Sequence, residues 1–231
     1  MLDKALETVQ SLKYGDDIEP LKAIDDAIVA THGNSDGRKQ LETQMLEVLQ
    51  SDATRNGKDY ICRKLRLIGS EESVPALASL LSDKELSHMA RYALESMPSD
   101  AAGAALREAL PKVDGELKEG VISSLGVRQD DRSVPALAAL VSGEDAAIAK
   151  SASEALGAIR TTNAAKALVN ARPNAAAAAS VTDSLLACAE SLLAAGDKAT
   201  ALTIYQKVSS GEPPKYVKLA ATRGMLACAA N

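Results

Sequence analysis

A six-residue phrase occurs twice in this chain, 60 positions apart. Ser73-Val74-Pro75-Ala76-Leu77-Ala78 matches Ser133-Val134-Pro135-Ala136-Leu137-Ala138 residue for residue. A degenerate copy, Ala101-Ala102-Gly103-Ala104-Ala105-Leu106, lies between them, and Ala164-Ala165-Lys166-Ala167-Leu168 follows. The equivalent leucines, Leu77, Leu106, Leu137 and Leu168, are spaced by 29, 31 and 31 residues. A second ladder, Leu65, Leu94, Leu125 and Leu156, has the same intervals. Two ladders in one register describe a repeat of about thirty residues made of two short helices and two turns, the pattern of stacked repeat proteins.

Inside each unit the apolar period is helical. Ile61, Leu65 and Ile68 fall at i, i+4 and i+7, as do Ala90, Leu94 and Met97; such stripes mark the core face of amphipathic helices. The punctuation agrees. Gly69-Ser70-Glu71-Glu72 reads as a helix stop followed by an N-cap with acidic residues at the next helix start, and Gln129-Asp130-Asp131 repeats the logic. Pro75 and Pro135 fall in a first helical turn, where a missing N–H costs little, and Pro98 and Pro111 lie where helices should end. Composition points the same way. There is no Trp or Phe and only five Tyr, against a strand's need for aromatic and β-branched residues, while the helix formers Ala, Leu, Glu and Lys abound.

Residues 57–172 resemble HEAT-like repeats, in the short form of phycobilisome lyases and many bacterial proteins. The resemblance is carried by Ser73 through Leu81, by Met89-Ala90-Arg91-Tyr92-Ala93-Leu94 and by Ala152-Ser153-Glu154-Ala155-Leu156-Gly157-Ala158-Ile159. It implies an all-α fold, a right-handed α-α superhelix of about 10–12 helices. Such arrays are often joined to other domains in larger proteins. Residues 1–56, with helices expected over 2–13, 17–31 and 37–52, miss the repeat register and read as an N-terminal cap. Residues 173–231 miss it too. Helices are expected there over 175–195, 199–208 and 216–230, with breaks at Pro173-Asn174 and Glu212-Pro213-Pro214, and Ala194 to Lys207 resembles a single tetratricopeptide unit through the spacing of Ala201 and Tyr205. Both ends are expected to close one continuous solenoid, since terminal units of stacked arrays are atypical.

No catalytic, cofactor or metal set emerges. His32, beside Gly33, suits the capping of terminal carbonyls, and His88 a solvent-facing helix position; neither belongs to a recognisable ligand spacing. The deoxyhypusine hydroxylases also resemble this repeat, but their di-iron site uses His-Glu pairs at positions that here hold Cys62-Arg63, Arg91-Tyr92, Ile122-Ser123 and Ser153-Glu154. Cys62, Cys188 and Cys228 are odd in number and lack a Cys-x-x-Cys pair, which suits buried thiols, with a Cys188–Cys228 disulfide as the alternative. Net charge is −5, from 26 basic and 31 acidic residues, so nucleic acid is disfavoured as a partner. No apolar run reaches the ~20 residues of a membrane span. The chain as given favours the cytoplasm, and a periplasmic or secreted location follows if a leader was removed.

In a stacked array, equivalent positions form rows. Ile61/Ala90/Val121/Ala152 and Leu65/Leu94/Leu125/Leu156 should face the core. Asp59/His88/Glu119/Lys150, Arg63/Tyr92/Ser123/Glu154 and Cys62/Arg91/Ile122/Ser153 should face outward, as should the small second-helix residues Ala76, Ala78, Ser79, Ala104, Ala105, Ala136, Ala138 and Ala139. The basic and aromatic cluster Lys58, Arg63, Arg66, His88, Arg91 and Tyr92 is the candidate patch for a protein or peptide partner, because Arg and Tyr are enriched where binding energy concentrates. The expectation is a non-catalytic interaction scaffold. A phycobilin-lyase-like enzyme subunit and a nucleic-acid-binding protein are the alternatives, the first weakened by the lack of aromatic lining for a tetrapyrrole.

Overall fold

A computed structural model describes residues 1–210 and 213–230 of the chain. All regular structure among them is helical, so the chain is all-α and solenoid-like. It divides into two compact units, Met1–Val113 and Asp114–Asn231.

The first unit holds α1 (Leu2–Gln10), α2 (Lys22–Ala30), α3 (Ser35–Gln50), α4 (Arg55–Ile68), α5 (Val74–Ser79), α6 (Ser87–Ser96) and α7 (Asp100–Ala109). Here α4 packs between α3 and α6, α5 lies on α7, and α1 touches α2, α3 and α4. The second unit holds α8 (Gly115–Val127), α9 (Val134–Val141), α10 (Ala146–Ile159), α11 (Thr162–Asn170), α12 (Ala178–Ala194), α13 (Lys198–Ser209) and α14 (Lys215–Ala229). Its helices pack as neighbours along the chain, α8 on α10, α10 on α12, α12 on α13 and α13 on α14. The described helices thus number fourteen, more than the ten to twelve expected. Of the expected break at Glu212-Pro213-Pro214, Glu212 lies outside the described residues.

Local chemistry explains the boundaries. Side chains of Asn34, Thr54, Ser99, Asp145, Thr161 and Asp197 accept from backbone N–H groups at the starts of α3, α4, α7, α10, α11 and α13, donors that have no partner inside their own helix. Bonds from the Thr200 hydroxyl and backbone N–H hold the Asp197 carboxyl below its ordinary range. A 3-10 turn precedes α5 and α9, and Pro75 and Pro135 then sit in the first helical turn as the repeat pattern requires. At the end of α2 the Thr31 hydroxyl meets the Ile28 carbonyl at 2.7 Å; the expected carbonyl cap at that end comes from Thr31 instead of His32.

Both expected core rows are fully buried, Ile61/Ala90/Val121/Ala152 and Leu65/Leu94/Leu125/Leu156 alike. The Cys62/Arg91/Ile122/Ser153 row is corrected: Cys62, Ile122 and Ser153 are also fully buried. Each first helix is packed on two sides, so its buried arc is wider than a single stripe. Ser153 satisfies its hydroxyl on the Ala149 carbonyl one turn back, at 2.7 Å. Ala76, expected outward, is buried as well, while Ala136 and Ala139 are exposed. All three cysteines are free and buried, which excludes the Cys188–Cys228 bridge in this structure. Burial pushes the Cys62 thiol up to about 12 and the Cys188 thiol up to about 11.

Candidate functional site

The feature of the first unit most suited to binding is a groove of about 710 Å³. It has three walls. One is the loop after α1, from Leu12 to Ile18; the second is the outer face of α4, with Arg55, Asn56, Asp59, Tyr60 and Arg63; the third is the start of α6 and the residues before it, with Glu85, His88 and Met89. The first two walls are held by bonds unrelated to any ligand. The Thr54 hydroxyl donates to the Leu12 carbonyl at 2.6 Å and the Thr54 N–H to the Gln10 carbonyl at 2.9 Å, which fixes the start of α4 against the end of α1. Gly57 allows that approach, because a Cβ there would stand 2.2 Å from the Val9 carbonyl oxygen. The Lys13 N–H donates to Asp16 at 2.7 Å and closes the loop on itself.

Charge around the groove is balanced. Lys13, Arg55 and Arg63 face Asp16, Asp59 and Glu85. Arg63 and Asp59, one turn apart on α4, make a two-pronged contact at 3.3 Å for each oxygen. Tyr60 lies half-buried, with its hydroxyl 3.4 Å from the Leu21 carbonyl and Lys64 Nζ 4.7 Å from its ring centre. Lys64 is in turn paired with Asp25. Desolvation raises the Tyr60 pKa above the ordinary phenol value, so this hydroxyl stays protonated and can donate. Desolvation opposes the charge on Lys64, but its bond to Asp25 and the nearby Tyr60 outweigh it, and its pKa is raised. On the rim, Tyr14 is 99% exposed and Ile18 63% exposed, two large side chains with no covering neighbour.

The expected patch is only partly assembled there. Arg63 and His88 line the groove. Arg66 and Tyr92 form a separate pair one turn further along, with the guanidinium carbon 4.4 Å from the ring centre. Lys58 is half-buried and Arg91 belongs to the row whose other members are core residues. Burial lowers the Arg91 pKa, with Glu95 acting against it. The loop wall, with Tyr14 and Asp16, escaped the repeat pattern because it lies in the N-terminal segment, outside the register. Its one sequence signal is the turn Tyr14-Gly15-Asp16-Asp17, in which Gly15 takes a positive φ of 88°. Among the described residues no three His, Cys, Asp or Glu side chains come together as a metal-holding group. No described helix is long and apolar enough to cross a membrane.

No family model matches the chain, and neither does any curated protein. Solved structures do match. A crystal structure of an engineered protein matches 81% of this chain and 96% of its own at 18% identity and a TM-score of 0.46. Human deoxyhypusine hydroxylase, in a complex with glycerol, matches 99% of this chain and 96% of its own at 15% identity and a TM-score of 0.39. Both of those structures are helical and repeat-like. The expectation of a purely non-catalytic scaffold is withdrawn, because the second of these matched proteins is an enzyme. At 15% identity and a TM-score of 0.39 the reaction of that protein does not pass to this one.

Proposed function

We propose that this chain is a helical-repeat binding protein whose groove between the α1 loop, α4 and α6 takes a peptide segment of mixed charge. The observation that carries the reading is the lining itself: three cations matched by three carboxylates around Tyr14, Tyr60 and His88. A polyanion would meet three carboxylates and a polycation three basic groups, each a like-charge contact that costs affinity. A segment bearing both signs finds a partner for each. Tyr rings supply rigid contact area at low entropic cost, and Arg supplies planar hydrogen bonding. Binding is the whole of this proposal, and it is independent of whether the bound peptide is then transformed.

The repeat type is HEAT-like on this reading. Support comes from the two leucine ladders and from the helix pairs α4/α5, α6/α7, α8/α9 and α10/α11 that carry them. The α12–α13 pair is tetratricopeptide-like, with Ala201 and Tyr205 both buried on α13.

Fluorescence polarisation with three labelled peptides of equal length tests the function: one alternating Glu and Lys around a central Leu, one with Glu throughout and one with Lys throughout. The mixed peptide is expected to bind best, and Tyr14→Ala with Arg63→Ala to weaken it about tenfold, the loss of one good contact's worth of energy. Equal binding of the three peptides, or no response to the double substitution, overturns the assignment.

A further inference from the structure

Two neighbouring helices of the second unit carry one sign of charge. α13 holds Lys198 and Lys207, α14 holds Lys215, Lys218 and Arg223, and neither holds an acidic residue. In the sequence from Lys198 to Ala230 the one carboxylate is Glu212. The chain as a whole has a net charge of −5, and a basic segment in an acidic chain points to an anionic partner. The carboxylates of α12, the other helix that touches α14, face elsewhere. Burial, and after it the Glu190 carboxylate, raises the Tyr205 pKa. That ring covers Gly224, where a Cβ would stand 2.2 Å from it, so Glu190 belongs to the packed side of α14. Asp183 shares a cleft with Arg160 at the end of α10.

The outer face of α14 joins these cations to an apolar stripe. Val217, Ala221, Gly224 and Cys228 form its buried arc. Tyr216, Leu219 and Leu226 are 72%, 70% and 69% exposed. Helical spacing sets Leu219 and Leu226 opposite the buried arc, with Lys215 and Lys218 to one side and Arg223 and Tyr216 to the other. Lys198 Nζ donates to the Ala230 carbonyl at 2.5 Å, so a further cation stands at the far end of the stripe. Large apolar side chains gathered on a surface mark a contact site. This one is the convex face of a single helix, without walls to hold a folded partner, and a lipid surface deforms around such a shape. A nucleic acid would use the cations and leave both leucines in water.

We infer that α14 lies on an anionic lipid surface. Leu219, Leu226 and the Tyr216 ring enter the boundary between headgroups and acyl chains, and Lys215, Lys218 and Arg223 reach the lipid phosphates. Long basic side chains extend from their apolar stems to such phosphates, and a Tyr ring with its polar tip suits the same depth. The 15 residues of α14 are too few to span a bilayer, so the helix rests in the plane of the surface. Buried apolar area and attraction to acidic headgroups add in this mode of binding. The acidic remainder of the chain opposes it little at physiological salt, where charges more than about 10 Å from the surface are screened.

Flotation of the full chain with vesicles tests this, with phosphatidylcholine alone and with an equimolar mixture of phosphatidylcholine and phosphatidylglycerol. The chain is expected to float with the mixed vesicles at low salt, to be released as salt rises, and to stay behind with phosphatidylcholine alone. Because the chain has no Trp, Leu219→Trp reports from the face itself. Its emission is expected to shift to the blue with mixed vesicles, while Val127→Trp, at an exposed position on α8, stays unchanged. Lys218 and Arg223 are exposed, and Lys218→Glu with Arg223→Glu is expected to weaken vesicle binding at least about tenfold. Far-ultraviolet circular dichroism checks that this variant keeps the parent's helicity; if it does not, the salt release and the Leu219→Trp shift decide. No flotation at low salt overturns the inference. So does flotation without a shift in Leu219→Trp, which places the contact on another surface, or flotation that the folded double variant retains in full. A shift of the same size with polyglutamate in place of vesicles assigns the face to an acidic protein and overturns it as well.

Discussion

The Ser99 hydroxyl donates to Glu71 Oε1 at 2.8 Å while accepting from the Ala101 N–H at 3.0 Å. One side chain thus caps α7 and ties it to the turn about one repeat earlier. The same linkage recurs. Ser70 donates to Glu42 at 3.0 Å and accepts from the Glu72 N–H, and Thr161 donates to Asp131 at 2.5 Å and accepts from the Ala164 N–H. Glu71 and Asp131 stand in turns of the array, whereas Glu42 stands within α3.

These links should differ sharply in strength. Glu42 is buried, and its Oε1 also takes the Ser70 N–H at 2.7 Å and the Ser73 hydroxyl. Removing it strands buried donors, so Glu42→Ala should cost roughly 2–4 kcal/mol. Glu71 is exposed, and Glu71→Ala should cost less than about 1 kcal/mol. Urea unfolding of the two variants reads this directly; equal losses would show that burial does not set the strength of the link.

Two helical glycines should resist alanine. In a free helix the change would gain up to about 1 kcal/mol. At Gly57 the new Cβ would meet the Val9 carbonyl oxygen at 2.2 Å, and at Gly157 it would meet Ser184 at 2.5–2.9 Å, including that residue's Cα. Backbone atoms cannot step aside, so both substitutions should lower the melting temperature. Gly57→Ala should also weaken the mixed-charge peptide, because it pushes α1 and its loop away from α4; Gly157→Ala, in the second unit, should leave that binding unchanged. A melting temperature at or above the parent's for either variant would refute the close-approach argument.

Much of this was legible from periodicity because stacking repeats the same environment. Leu65, Leu94, Leu125 and Leu156 share one spacing and are all fully buried. What periodicity hid is the width of the buried arc: a helix flanked by neighbours on two sides buries Cys62, Ile122 and Ser153 as well as the leucines, and an Arg at the equivalent position reads as a surface residue. Two members of the expected patch line the candidate groove. Arg63 and His88 come from adjacent rows of the array, whereas Tyr14 and Asp16 reach the groove through a loop held by Thr54 bonds to Gln10 and Leu12, and no one-dimensional pattern encodes that contact.

Arg91 makes the arc argument testable. Its row-mates are Cys, Ile and Ser, and burial lowers its pKa. Glu95 interacts with Arg91 from one turn along the same helix, and removing one member of a partly buried pair of charges leaves the other uncompensated. Arg91→Met should therefore lower the melting temperature, and should not change peptide binding, since Arg91 is not among the groove residues. A loss of peptide affinity would restore Arg91 to the recognition surface.

The thiols predict how stability depends on pH. Cys62 is pushed up to about 12, chiefly by burial and secondarily by the Asp59 carboxylate. Cys188 is pushed up to about 11 by burial, with Arg160 acting against it. Their ordinary value is 9.0. Above that value the unfolded chain releases these protons while the folded chain retains them, so the folded state binds more protons and stability falls as pH rises. Each thiol should contribute a slope of about 1.4 kcal/mol per pH unit between its unfolded and folded values, at most. Urea midpoints measured at about pH 8 and about pH 10.5 should therefore fall less in Cys62→Ala and Cys188→Ala than in the parent, whatever cavity cost each variant carries at both values. The test compares slopes, so that constant cost cancels. Parallel pH dependence in parent and variants would mean that the thiols ionise as easily in the folded chain as in the unfolded one, and that the core around α4 and α12 is open to water.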